Sequence, residues 1–126
     1  MNALLLVVVG AGIGGGLRHL VNIGAARLLG IHFPWGTLTV NLVGSFVMGL
    51  LAAWFALRFS GGGQALRLLL TTGILGGFTT FSSFSLDAVL LWERGATGVA
   101  ALYVAVSVAV GIAALVAGLA LGRAFG

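Results

Sequence analysis

The sequence has no cysteine and no lysine, one proline, and two acidic residues in 126 positions. Without cysteine there is no disulfide, no thiolate metal site and no cysteine nucleophile. Six arginines with Asp87 and Glu93 make up the 6% of residues that are charged, where a soluble domain carries about 25%. A chain this size folded in water covers itself with polar groups, and here they are missing. Disorder is excluded as well, because 60% of the residues are hydrophobic and disorder needs low hydrophobicity with high charge. The net charge of +4 sits on separated arginines. A nucleic-acid surface clusters its basic residues, so no nucleic-acid partner is expected. No nucleophile–base pair or metal cluster can be drawn from the pattern, so the chain does not read as an enzyme.

What is abundant is apolar length and glycine, 22 of 126 residues. The charges cut the chain into four neutral stretches, 1–17, 28–57, 68–86 and 95–122. A spanning helix needs about 20 apolar residues, so each stretch holds one span. The sequence predicts an all-α membrane protein, one four-helix unit over 1–126, with helices near 3–28, 36–58, 65–93 and 97–123. The first stretch continues through Arg18, which snorkels or faces a wet vestibule. A cleaved signal peptide is not expected, because the start lacks a basic segment. Turns are expected at Gly30–Pro34, Ser60–Gly63 and Arg94–Thr97. Trp35, Trp54 and Trp92 fall near helix ends, as membrane-interface aromatics do.

Four spans put both termini on one face. Arg58, Arg67 and Arg123 lie on that face, and Arg18, Arg27 and Arg94 on the other. Orientation follows the arginine and lysine bias, and here there is none. The sequence therefore predicts insertion both ways up, which would permit an antiparallel dimer of the chain with itself; the alternative is that the N-terminal ammonium or one arginine tips the balance.

Gly10, Gly12 and Gly15 match a dinucleotide-binding fingerprint after an apolar run. That motif needs a strand–turn–helix unit and an acid about 20 residues later, and neither is present. Gly10, Gly12, Gly14 and Gly16 are better read as small residues for tight helix packing in lipid.

Polar groups in a spanning helix need partners or a purpose. Thr37, Asn41 and Ser45 recur every fourth residue and share one helix face. Tyr103 and Ser107 do the same on the last helix. Each set serves either as helix–helix glue or as a polar path. The third helix holds Thr71–Ser85, with three glycines, seven hydroxyl residues and three phenylalanines. Gly76-Gly77 followed by Thr79-Thr80 is poor helix sequence, so a break is predicted. Carbonyls freed at such a break can bind a cation. Phe78, Phe81 and Phe84 form either a packing stripe or ring edges that face an anion. No acid falls at mid-span, which argues for a passive path of neutral donors, free of fixed negative charge.

Three segments resemble the fluoride channel family known as Fluc or CrcB: Gly14–His19, Trp35–Gly49 and Gly73–Phe84. The resemblance covers the whole chain. It implies an antiparallel dual-topology homodimer in the cell inner membrane that passively exports fluoride through two pores. It also implies a structural sodium ion at the dimer centre, held by the carbonyls of Gly76 and Thr79. Phe81 and Phe84 resemble the pore aromatics and Asn41 the pore amide. Thr37, Ser83, Tyr103 and Ser107 resemble a polar track, and Arg18 a vestibule arginine that attracts the anion. The chain departs from the family pattern at His19, where an aromatic is common, at Ser83, where threonine is common, and at Asp87, where glutamate is common. Two alternatives remain open: a small dual-topology drug/proton exchanger, which lacks the acid it needs in helices one and two, and a non-conducting membrane assembly protein.

Overall fold

A computed structural model describes residues 2–58 and 62–125. Ser60 and Gly61 of the expected turn lie outside the described residues. The first helix, α1, spans Ala3–Leu29 and α2 spans Trp35–Arg58. A third run comprises α3 (Gln64–Arg67), a π-helical segment (Leu68–Leu75), α4 (Gly76–Phe78) and α5 (Phe81–Glu93). The last helix, α6, spans Thr97–Phe125. The structure is all-helical among the described residues, and α1, α2, the run Gln64–Glu93 and α6 are each long and apolar enough to cross a membrane.

Local signals set the ends of these helices. Asn2 caps α1, its side chain accepting from the Leu5 N–H at 2.8 Å. Gly30 ends α1 at φ +86°, and Gly95 turns the chain between α5 and α6 at φ +88°. Both angles lie where a side chain would be strained. Pro34 precedes α2, where its missing N–H costs nothing. In the π segment the Thr71 hydroxyl donates to Arg67 O at 2.7 Å.

Helix α2 packs most extensively on α6, and α1 on the π segment and α4. Glycine makes these contacts close. A Cβ on Gly49 would collide with Leu115 O of α6, and one on Gly118 with Phe46 O of α2. Gly10 and Gly14 face the third run at backbone distance, whereas Gly12 and Gly16 meet nothing within 4 Å. Only two of the four glycines expected to pack therefore pack within the chain, because positions two apart point to opposite sides of a helix. Buried side chains are few: Leu38, Leu91, Ala100 and Tyr103 form the core cluster, with Phe33, Leu42 and Phe84 against it. Leu4, Val8, Leu102, Ile112 and Val116 point outward. In water such a surface would aggregate; lipid tails solvate it without penalty.

Candidate functional site

The site is built around two extended residues in the third run. Thr79 (φ −88°, ψ 158°) and Thr80 (φ −153°, ψ 115°) separate α4 from α5. Branched threonines after a glycine pair favour this geometry over helix. Gly44 lets α2 come close, since a Cβ there would strike the Thr79 side chain.

Extended backbone redirects the local hydrogen bonds. In an unbroken helix the Thr80 N–H would donate to Gly76 O. Here it donates to Asn41 Oδ1 at 2.8 Å, and Asn41 Nδ2 donates back to Thr80 O at 3.1 Å. The amide of α2 thus pairs with one residue of the third run as a neighbouring strand would. Arg18 Nε donates to Gly77 O at 3.1 Å. The Thr79 N–H and hydroxyl both donate to Leu75 O at 3.0 Å. Thr80 Oγ1 caps α5 by accepting from the Ser83 N–H at 3.1 Å.

Aromatic rings extend from this point. The Phe81 and Phe84 ring centres lie 5.6 Å apart, tilted by 50°. Phe84 lies 5.2 Å from Tyr103, which meets Phe33 edge-on at 5.4 Å. Phe81 is 78% exposed within the single chain, while Tyr103 is fully buried. Its hydroxyl donates to Asp87 Oδ2 at 3.2 Å.

Two cavities flank the rings, one touching Phe33 and the other Phe81. One, of about 420 Å³, is lined by Thr37, Ser83 and Asp87, with Asn22 and Arg94 among its other walls. The second, of about 270 Å³, is lined by Asn41, Ser45, Thr79, Thr80 and Phe81. A third, of about 570 Å³, runs between α2 and the third run and is lined by Arg67, Thr71, Thr72 and Gly76. Ser107 stands apart: its Oγ is buried and has no partner among the described residues.

The structure therefore groups the residues singled out in the sequence. Thr37 and Ser83 share one cavity, to which Tyr103 is tied through Asp87. Asn41, Thr79 and Phe81 share the next, and Phe84 touches rings on both sides. Gly76 lines the third cavity, and Arg18 lines none of these three.

Three features were not legible beforehand. Thr80 is the backbone partner of Asn41, Gly77 that of Arg18, and Asp87 shares the cavity with Thr37 and Ser83. That cavity therefore has a carboxyl group in its wall. Asp87 lies one helical turn after Ser83, a spacing that puts both on one face. Among the described residues no group of three His, Cys, Asp or Glu side chains could hold a metal. A cation near the interruption would rest on backbone oxygens.

Residues 5–119 match the family described as "CrcB-like protein, Camphor Resistance (CrcB)". The chain is 64% identical, over 97% of both lengths, to a protein of Methylobacterium nodulans named fluoride-specific ion channel FluC. It is 61% identical, over 82% of both lengths, to one of the same name from Mesorhizobium japonicum. A third so named, from Hyphomonas neptunium, is 52% identical over 85% of this chain and 84% of its own.

Proposed function

This chain belongs to the CrcB family of multi-pass membrane proteins, and we propose that it is a fluoride-selective channel. In this reading it lets fluoride leave the cytoplasm down its electrochemical gradient, across the inner membrane, and it is a transport protein with no enzyme activity. The observation that carries the reading is the ring series Phe81–Phe84–Tyr103, which links the Asn41 cavity to the Thr37–Ser83 cavity. Ring edges are positive and hold an anion without fixing it. Hydroxyl and amide donors on either side replace its hydration.

Each chain residue has a task. Asn41 uses one Nδ2 hydrogen on Thr80 O, and an amide nitrogen has two, so one remains for an anion. Ser107 holds a buried hydroxyl with no partner among the described residues, and an anion would satisfy it. Thr37 and Ser83 present hydroxyls to the cavity that Asp87 also lines. Tyr103 donates to one oxygen of the Asp87 side chain, which occupies part of its acceptor capacity. Arg18 adds positive charge beside the interruption.

The working unit is an antiparallel homodimer inserted in both orientations, with a broken third helix in each chain. The three-and-three split of arginines between faces supports mixed orientation. The extended pair Thr79–Thr80 supports the break. The exposure of Phe81 supports a second copy covering it. The carbonyls of Gly76 and Thr79 fit a sodium ion, because the diverted Thr80 N–H leaves Gly76 O without its helical donor and neutral oxygens suit a hard cation. One chain offers two such carbonyls, so a second copy would complete the shell. When bound, the ion would neutralise the inward carbonyls and join the subunits.

Purified protein in liposomes tests the reading. Fluoride should leave loaded vesicles while chloride stays, and equal retention of both ions would refute the channel.

A further inference from the structure

Arg18 follows Gly10 and Gly14 at four-residue steps, so the three share one face of α1. That face lies against the third run. A Cβ on Gly10 would stand 2.8 Å from Gly73 Cα, and one on Gly14 would collide with Ile74 O. The opposing Gly77 is as tight, with a Cβ there 2.9 Å from Ala11 Cα. This glycine contact carries Arg18 to the end of α4, where its half-buried Nε donates to Gly77 O at 3.1 Å.

In an unbroken helix the Gly77 carbonyl would accept from the Phe81 N–H. Extended Thr79 and Thr80 intervene, and the guanidinium stands where that backbone donor is missing. The carbonyl ends of a helix favour a cation, and a charge-assisted bond is stronger than a neutral one. From the other side Asn41 holds Thr80. The interruption is gripped by α1 and α2 together.

We propose that Arg18 is a positioning residue: by capping the Gly77 carbonyl it fixes the start of α5 and with it Phe81 and Phe84. The role rests on the channel reading above, but it is distinct from attraction of anions at a distance. Attraction needs only charge. Capping needs a donor held where the Nε–H stands; lysine carries its ammonium one bond farther out and without the planar fork that fixes a guanidinium.

Arg18→Lys separates the two roles, with Arg18→Gln as a second variant that also removes the charge. The full-length protein is placed in lipid nanodiscs for amide hydrogen exchange and in liposomes for fluoride efflux. In R18K the amides of Thr79, Thr80 and Ser83 should exchange about tenfold faster, with α6 amides unchanged. Efflux at saturating fluoride should fall about tenfold although the charge is kept, and low ionic strength should not restore it. Glutamine should behave like lysine. Wild-type exchange in R18K would overturn the proposal. Faster exchange with wild-type efflux would overturn it too, since the cap would not be holding the conducting rings. So would equal loosening of α6, which marks a general scaffold role. The exchange comparison needs no transport, so a wild type that carries no fluoride would refute the channel reading separately.

Discussion

Asn41→Ala removes both hydrogen bonds that join α2 to Thr80. Thr80 then keeps an N–H and a carbonyl in half-buried surroundings with no side-chain partner. Each unsatisfied buried group costs about 1–3 kcal/mol. The neighbouring 270 Å³ cavity can admit water to one of them, which puts the net loss near the lower end, about 2 kcal/mol. A loss of that size changes a conformational ratio by roughly 30-fold. If conduction requires the held interruption, fluoride efflux should fall by a similar factor. Asn41→Asp keeps the acceptor for the Thr80 N–H but sets a second carboxylate oxygen against Thr80 O, so it should slow efflux at least as much. Efflux from liposomes, followed with a fluoride electrode at matched protein density, reads the effect. Wild-type rates in both variants would show that neither the clamp nor the amide matters to the path.

Other outcomes follow from the same geometry. Phe81→Ile should strongly slow fluoride efflux, because Phe81 stands in the ring series beside the Asn41 cavity; unchanged efflux would remove it from the path. Gly14→Ala should lower the unfolding midpoint by an amount worth about 1–3 kcal/mol, since its Cβ would strike backbone atoms of Ile74 and Phe78; a wild-type midpoint would contradict the contact. Replacing sodium with a bulky organic cation should weaken the dimer on size-exclusion chromatography, and an unchanged profile would count against a shared cation. Single cysteines placed near residue 124 should label from both sides of the membrane, whereas one-sided labelling would end the mixed-orientation reading.

The four apolar helices were legible because charge is so scarce. Arg58 ends α2, and Glu93 ends α5, so the few charges punctuate the chain where it leaves the lipid. Thr79-Thr80 stood out by the same local logic, as branched residues after paired glycines. Contacts between helices were less legible. Spacing put Thr37, Asn41 and Ser45 on one face, but it could not say that Asn41 would pair with the backbone of Thr80. That pairing depends on Gly44 admitting the third run. The distance of Asp87 from mid-span was readable, whereas its approach to Tyr103 depends on how α5 meets α6. The π-helical turn of Leu68–Leu75 has no distinct signature beside an ordinary apolar helix. Glycine counts announced close packing, yet which glycines pack, Gly10 and Gly14 rather than Gly12 and Gly16, depends on the neighbour that α1 meets.

The central claim, passive movement of fluoride as an anion, is tested most directly in potassium-fluoride-loaded liposomes with and without valinomycin. A channel carries charge, so efflux should be slow until valinomycin lets potassium follow, and then fast. Collapsing the proton gradient alone should leave the rate unchanged. Efflux that ignores valinomycin but follows the proton gradient would contradict the account and point to a coupled exchanger.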